Sequence, residues 1–353
     1  MPVIIVNATA LDSSGALTIL KQFVASTPIN EFDFVIFISD KVNLSYSQSN
    51  IRLVKISNVK SFYRRFLWDT LGVRLWLKRN NVKPFASLSL QNTNFLTGNS
   101  IPNYIYYHQP IPFYSQKWSF LEKEQRILWF YKKIYPFFVQ IFINKKTKIF
   151  VQLECIKFGF SKRFNFPKNR ISVITPKFEL PSLNPIKDIE LPKDKINIFY
   201  PATTHFYKNH SVVVDALKLL NDDKIVLYLT CSKEELNVNT DNINVKFCGK
   251  MPFEDVLGMY KMCDALIFPS YIETYGLPLL EAASLGLLVL VADLPYSREV
   301  LFGYEGARFI DYSNSEIWAN EISRIKKGEK FSPFYPPTKE SWATLFEKIK
   351  TKY

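Results

Sequence analysis

The 353-residue sequence predicts an α/β protein of two doubly wound parallel sheets, and three observations carry the prediction. Short apolar runs alternate with longer helical or irregular stretches, the pattern of an open parallel sheet. The alternation halts in a proline-rich segment and then restarts. The length, with 47% apolar residues, suits two cores better than one. In the first half the strand-like runs are Val3–Val6, Phe34–Ile38, Ile51–Ile56, Tyr104–Tyr107 and Ile149–Leu153. Around 175–195, Pro176, Pro181 and Pro185 resist helix and sheet alike, which places a first domain at 1–180 and a second at 190–335. The second half then reads as strand Ile196–Tyr200, helix Ser211–Leu220, strands Ile225–Leu229 and Val245–Phe247, and helix Phe253–Met262. An amphipathic helix is expected within the final segment, 336–353.

The net charge of +13 is unevenly placed. Residues 1–180 hold 25 Lys and Arg against 9 Asp and Glu, whereas 181–353 hold 20 against 23. Within the basic half, aromatic residues interleave with the cations, as in Phe62–Trp68, Arg74–Arg79 and Trp129–Phe138. That pairing suits the headgroup region of an anionic membrane, with Arg64, Arg65, Lys78 and Arg79 as its carriers. It also fits an ordinary core with a solvated face, and nucleic acid is not expected as a partner. Lys132 and Lys133 in the run 127–143 argue against a spanning helix. Met1–Asn7 has neither a basic flank nor a cleavage site, so retention in the cytoplasm is expected. Cys155, Cys231, Cys248 and Cys263 have no paired metal spacing, and no metal or cofactor is expected.

The most informative stretch is Phe268–Gly286, in which Glu273 and Glu281 stand eight residues apart. Ala265–Phe268 and Leu287–Val291 read as buried strands, Pro278 suits a first helical turn and Gly286 a helix stop. This unit puts Glu273 in a loop at the carboxyl end of a strand and Glu281 in the first turn of the following helix. The N–H groups of Tyr275, Gly276 and Leu277 fall at that helix N-terminus, where orphan donors favour phosphate oxygens. Elsewhere, Lys208 follows the first strand of the second half, His108 follows an apolar strand and precedes a proline-stiffened loop, and Gly15 sits in the loop after the first strand. A lone lysine or histidine at such places is more often structural.

The run Pro269-Ser before Glu273, Tyr275-Gly-Leu-Pro278 between the glutamates, Glu281-Ala-Ala after, and Asp293–Val300 beyond resembles the signature of family 4 glycosyltransferases. The resemblance implies a GT-B fold, two Rossmann-like domains with an inter-domain cleft, whose last helix commonly crosses back to the first domain. It implies a retaining, metal-independent transferase whose nucleotide-sugar donor is a substrate rather than a cofactor. On that reading Glu281 binds the ribose diol, Glu273 meets the donor sugar, and Lys208 with Tyr275, Gly276 and Leu277 stabilises the diphosphate. His108 orients donor sugar or acceptor, and Gly15 keeps one glycine of an active-site pair whose other member is Ser14 here. Where the family usually carries an arginine, this chain has Ala202, so Thr203, Thr204 or His205 would have to replace one diphosphate contact. The expected acceptor is a lipid-linked or glycan molecule of bacterial surface polysaccharide (O-antigen or capsule) assembly. Two other readings stay open: a soluble transferase acting on a small acceptor, and a non-catalytic nucleic-acid-binding or scaffold protein of the same fold.

Overall fold

The computed structural model describes every residue except 13, 60, 99, 179–189, 337–340 and 352–353. The part of the proline-rich boundary holding Pro181 and Pro185 therefore lies outside the described residues, as does the start of the C-terminal segment. The chain divides into two compact units, Met1–Lys177 with Thr338–Tyr353, and Phe178–Pro337.

Among the described residues the first unit holds seven strands: β1 (Val3–Ala8), β2 (Asp33–Ser39), β3 (Ile51–Ile56), β4 (Pro84–Ser89), β5 (Asn103–Tyr107), β6 (Thr147–Val151) and β7 (Ile171–Val173). They are ordered 3-2-1-4-5-6-7, and every pairing is parallel. Because side chains alternate along a strand, β1 feeds two cores, Ile4 and Val6 into one and Ile5 into the other. The helix Trp342–Lys350 completes the first of these with Trp342, Leu345, Phe346 and Ile349. Trp342 stacks on Tyr106 at 5.0 Å between centroids, and Phe346 meets Phe34 edge-on at 5.7 Å.

The second unit holds β8 (Ile196–Tyr200), β9 (Ile225–Leu229), β10 (Val245–Phe247), β11 (Ala265–Phe268), β12 (Leu288–Ala292) and β13 (Ala307–Ile310). Their order is 10-9-8-11-12-13, again all parallel. Both sheets reverse direction of winding beside their first strand, between β1 and β4 and between β8 and β11. Such switch points are where open α/β sheets present groups to ligands, at the carboxyl ends of the strands.

Several expectations need correction. The sequence reading omits β4, β7 and β13. Pro84-Phe-Ala-Ser-Leu-Ser89 carries Ser87 and Ser89, which argue against a buried strand, yet both are fully buried beside β1 and Ser89 donates to the Thr93 carbonyl at 2.6 Å. β6 runs over Thr147–Val151 instead of Ile149–Leu153, and it ends at Val151 because Gln152 and Leu153 already lead into the helix Glu154–Phe164. Over 127–143 the chain forms two helices, Arg126–Lys133 and Tyr135–Gln140, parted at Ile134, because Pro136 has no N–H to give to the Lys132 carbonyl and suits the first turn of the second helix. No helix among the described residues is long and apolar enough to cross a membrane.

Candidate functional site

The switch point of the second sheet gathers most of the singled-out residues. After β8 the chain makes a 3-10 turn at Phe206–Lys208, and Asn209 takes a left-handed conformation (φ 57°) that turns it into the helix His210–Leu220. After β11 the loop 269–276 leads into the helix Leu277–Ser284. Backbone and side chains bind these two loops together. Tyr271 N–H donates to the Tyr207 carbonyl at 3.0 Å, and Asn209 Nδ2 donates to the carbonyls of Tyr312 at 2.7 Å and Pro269 at 3.4 Å. Tyr296 Oη donates to the Ser270 carbonyl at 2.6 Å.

Across this seam Lys208 Nζ lies 2.5 Å from Glu273 Oε1, with both side chains mostly buried. The ammonium also sits 5.6 Å from the ring centroids of Tyr207 and Phe268. A cation so placed is held by a carboxylate and two π faces. Tyr200, fully buried on β8, donates its hydroxyl to the Lys208 carbonyl at 2.6 Å and fixes the backbone beneath the ammonium. Burial, with the Glu273 charge added, holds the Tyr200 phenol far above its ordinary range. His210, also buried, has its pKa lowered to about 4 by burial and by Lys208, so it is neutral at pH 7 and adds no charge to the site.

Glu281 is only 8% exposed and receives the Tyr260 hydroxyl at 3.1 Å. Burial raises its pKa to about 7, with the Tyr260 hydrogen bond opposing the rise. It is the fifth residue of its helix and so lies in the second turn, not the first. Gly276 caps that helix at φ 84°, a left-handed conformation that any Cβ would strain, and its added Cβ would also crowd Leu279 at 3.1 Å. Tyr275 and Gly276 are buried and Leu277 is half-buried, the last opening the helix with Pro278 behind it.

The fold therefore brings Lys208 and Glu273 into contact, with Tyr275, Gly276, Leu277 and Glu281 following on the same loop and helix. Gly15 and His108 belong to the first unit. Gly15 is exposed near the start of the helix Ser14–Ala25. His108 is half-buried after β5; its backbone N–H donates to Asn92 Oδ1 at 2.5 Å, and burial lowers its pKa to about 4 despite a hydrogen bond to the Leu90 carbonyl. Ala202 is buried and supplies no cation, while His205 is exposed and stacks on Tyr207 at 5.4 Å. Tyr200 and Tyr260 are the residues that sequence reasoning missed here; each reads as an ordinary core aromatic until its hydroxyl partner is seen.

Comparisons with known proteins bear on the domain and the fold. The family model "Glycosyl transferases group 1" matches residues 184–333, which span nearly all of the second unit. The chain carries a group 1 glycosyltransferase domain. It is 24% identical over 344 residues to the O-antigen chain mannosyltransferase RfbU of Salmonella typhimurium, covering 92% of this chain and 91% of that one. Among solved structures it is similar to sucrose-phosphate synthase from Thermosynechococcus elongatus (TM-score 0.64, 14% identity, 92% and 89% of the two chains). It is likewise similar to WaaG, a glycosyltransferase involved in lipopolysaccharide biosynthesis (TM-score 0.61, 14% identity, 91% and 89%). The two parallel sheets are those of the GT-B fold.

Proposed function

We propose that the chain transfers one sugar, with retention of anomeric configuration and without a metal, from a nucleotide sugar to a lipid-linked or glycan acceptor in bacterial surface polysaccharide assembly. The observation that carries this is the Lys208–Glu273 pair at the switch point, followed on the same loop and helix by Glu281. In the proposed reaction the donor diphosphate takes over Lys208 from Glu273, which then meets the hydroxyls of the sugar. The bond from the anomeric carbon to the phosphate oxygen breaks, and Lys208 with the Leu277 N–H takes up the charge left on the diphosphate. The acceptor oxygen bonds to the anomeric carbon on the face just vacated, and its proton passes to the departing phosphate oxygen. His108 and Gly15 serve the donor sugar or acceptor.

The similarity to an O-antigen chain mannosyltransferase makes mannose the first sugar to test. A panel of nucleotide sugars including GDP-mannose, screened for thermal stabilisation in excess EDTA, is expected to give one or two hits. At a hundred times its Kd such a donor adds about 2.7 kcal/mol. Glu281→Ala should weaken the hit roughly ten- to a hundred-fold through loss of a charge-assisted contact. No stabilisation by any donor, or an absolute need for a divalent ion, would count against the reading.

Attachment to the inner face of the cytoplasmic membrane is part of the proposal, and one helical face of the first unit supports it. Along the continuous helical segment Phe62–Arg79, Tyr63, Leu67, Leu71 and Leu75 are 68%, 38%, 57% and 52% exposed at a strict four-residue spacing. Phe62 and Phe66 pack on Phe138, which joins this stripe to a second exposed set, Ile134, Phe137 and Ile141. Exposed Arg64, Arg74, Lys78 and Arg79 flank the stripe. Arg65 is turned partly inward, its Nε donating to the Val59 carbonyl at 3.4 Å, and drops out of the expected basic set. An apolar stripe with cationic flanks suits insertion at the level of the headgroups. Leu71→Ser with Leu75→Ser should cut sedimentation with phosphatidylglycerol vesicles at least about tenfold, since each buried leucine is worth about 1.5–3 kcal/mol. Unchanged sedimentation would return the stripe to an ordinary solvated surface.

A further inference from the structure

The switch point of the first sheet holds a buried polar cluster that the proposed reaction does not use. Asp69 is 4% exposed, and it is the only acid in the otherwise basic segment 62–79. It sits in a π-helical turn, Trp68–Gly72, set between the helices Phe62–Leu67 and Val73–Arg79. The turn is built in by Gly72, where a Cβ would fall 2.3 Å from the Trp68 ring. Single π turns of this kind recur at functional sites.

The Asp69 carboxylate accepts Asn7 Nδ2 at 2.7 Å, from β1, and Gln91 Nε2 at 3.1 Å on both oxygens, from the loop after β4. Gln91 Oε1 in turn accepts the Thr9 hydroxyl at 3.0 Å and the Ala10 N–H at 3.2 Å. Those two residues begin the loop that leads to Gly15. On the other side of Gln91, Asn92 Oδ1 and the Leu90 carbonyl both bind His108. One carboxylate thus underlies the carboxyl-end loops of β1, β4 and, through residues 90–92, β5. Among the described residues Arg65 and Tyr135 are the other ionisable groups facing it, and burial raises its pKa to about 7 against the pull of Asn7, Arg65 and Gln91.

We propose that Asp69 is a positioning residue, holding the Gly15 and His108 loops in the geometry that sugar transfer requires. The proposal rests on the transferase reading above for its functional consequence, while the loop geometry stands without it. The alternative is that Asp69 only stabilises the fold.

The hydrogen-bond pattern supplies a rescue that separates the two. In Asp69→Asn one acceptor oxygen becomes an NH2 group facing the Gln91 NH2. Flipping Gln91 relieves that contact but turns its NH2 onto the Ala10 N–H. Adding Gln91→Glu reverses donor and acceptor between the two side chains, leaves one bond between them in place of two, and keeps the bonds to Asn7, Thr9 and Ala10. The amide oxygen introduced by Asp69→Asn accepts from Asn7, while its NH2 donates to one oxygen of the carboxylate introduced by Gln91→Glu. The other oxygen of that carboxylate accepts Thr9 and Ala10, and the net charge is that of the wild type.

Hydrogen exchange should rise about tenfold or more in segments 8–12, 90–93 and 107–109 of Asp69→Asn, as loss of one buried acceptor predicts. Binding of GDP or UDP by calorimetry should be unchanged. Release of free sugar from the donor found in the panel should fall by a similar factor in kcat at constant donor KM. Asp69→Asn with Gln91→Glu should recover both loop protection and turnover. Uniform loosening of the whole first unit, or a double variant that regains thermal stability without turnover, would overturn the proposal in favour of a purely structural role. If the wild type releases no sugar from any donor, the transferase reading fails, and selective loop loosening with rescue still decides whether Asp69 organises these loops.

Discussion

Replacing Lys208 with alanine is expected to lower turnover roughly a hundred- to a thousand-fold, the effect of removing one preorganised group aimed at developing negative charge. The physical setting makes this the most severe single change in the second unit. The ammonium is mostly buried, 2.5 Å from Glu273 and bracketed by the rings of Tyr207 and Phe268, so little solvent screens it. Its backbone is held independently by the Tyr200 hydroxyl and its neighbour Asn209 by two carbonyls, so the loop should survive truncation of the side chain. The substitution also leaves Glu273 facing the diphosphate without a cation between them, which adds a like-charge penalty to the lost stabilisation. Lys208→Arg should restore little, because a planar guanidinium cannot occupy the point-like place of the ammonium between two rings. Steady-state release of nucleoside diphosphate from the donor identified by the panel measures the effect. A turnover within threefold of the wild type would remove Lys208 from the leaving-group site.

Much of this architecture was legible because it rests on local rules. Continuous apolar runs such as Ile4–Val6 or Leu288–Val291 have no amphipathic alternative and must be buried on both faces. Pro278 and Gly286 bracketed the helix that carries Glu281 for reasons of backbone geometry alone. What failed was β4, where Ser87 and Ser89 disguise a central strand. The resulting error is not cosmetic, since without β4 the switch point of the first sheet cannot be located and the cluster around Asp69 has no address. Its bonds span 62 residues to Asn7 and 22 to Gln91, separations that no periodicity reports. The one visible signal was a single acid among basic residues in 62–79.

The site in the second unit was readable for a different reason. Glu273 and Glu281 lie on one short strand–loop–helix unit, so spacing along the chain translates directly into placement. The contact of Glu273 with Lys208 crosses 65 residues and depends on β8 and β11 lying side by side, which a sequence of strands does not specify. Equally hidden were Tyr200 and Tyr260, whose rings belong to the core while their hydroxyls act at its edge. Sequence alone also overstated the basic surface, since Arg65 has the composition of a membrane contact and the position of an inward-turned neighbour of Asp69.

The second large effect concerns pH. Affinity for the nucleoside diphosphate should rise as pH increases through about 7, because burial raises the Glu281 pKa from its ordinary 4.5 to about 7 and only the carboxylate can accept both ribose hydroxyls. Between pH 6 and 8 the ionised fraction goes from about one-tenth to about nine-tenths, so Kd should fall about tenfold. The sign is opposite for the stability of the free protein. A folded pKa raised above the unfolded one contributes stability that is full below about 4.5 and lost as pH rises through about 7. On the proposed reading the ribose hydroxyls would stabilise the carboxylate that burial disfavours. The nucleotide's terminal phosphate also titrates near pH 6, and Glu281→Gln serves as the control because it keeps that titration while removing the protein's own. Calorimetric titrations of wild type and Glu281→Gln with the same nucleotide across pH 6–8 should therefore diverge, the variant remaining nearly flat once the phosphate contribution is shared. Tyr260→Phe should move the wild-type midpoint to higher pH, because the hydroxyl at 3.1 Å is the hydrogen bond that holds the Glu281 pKa down. Superimposable pH profiles for wild type and Glu281→Gln would place the ribose elsewhere and leave Glu281 as a buried acid of the core.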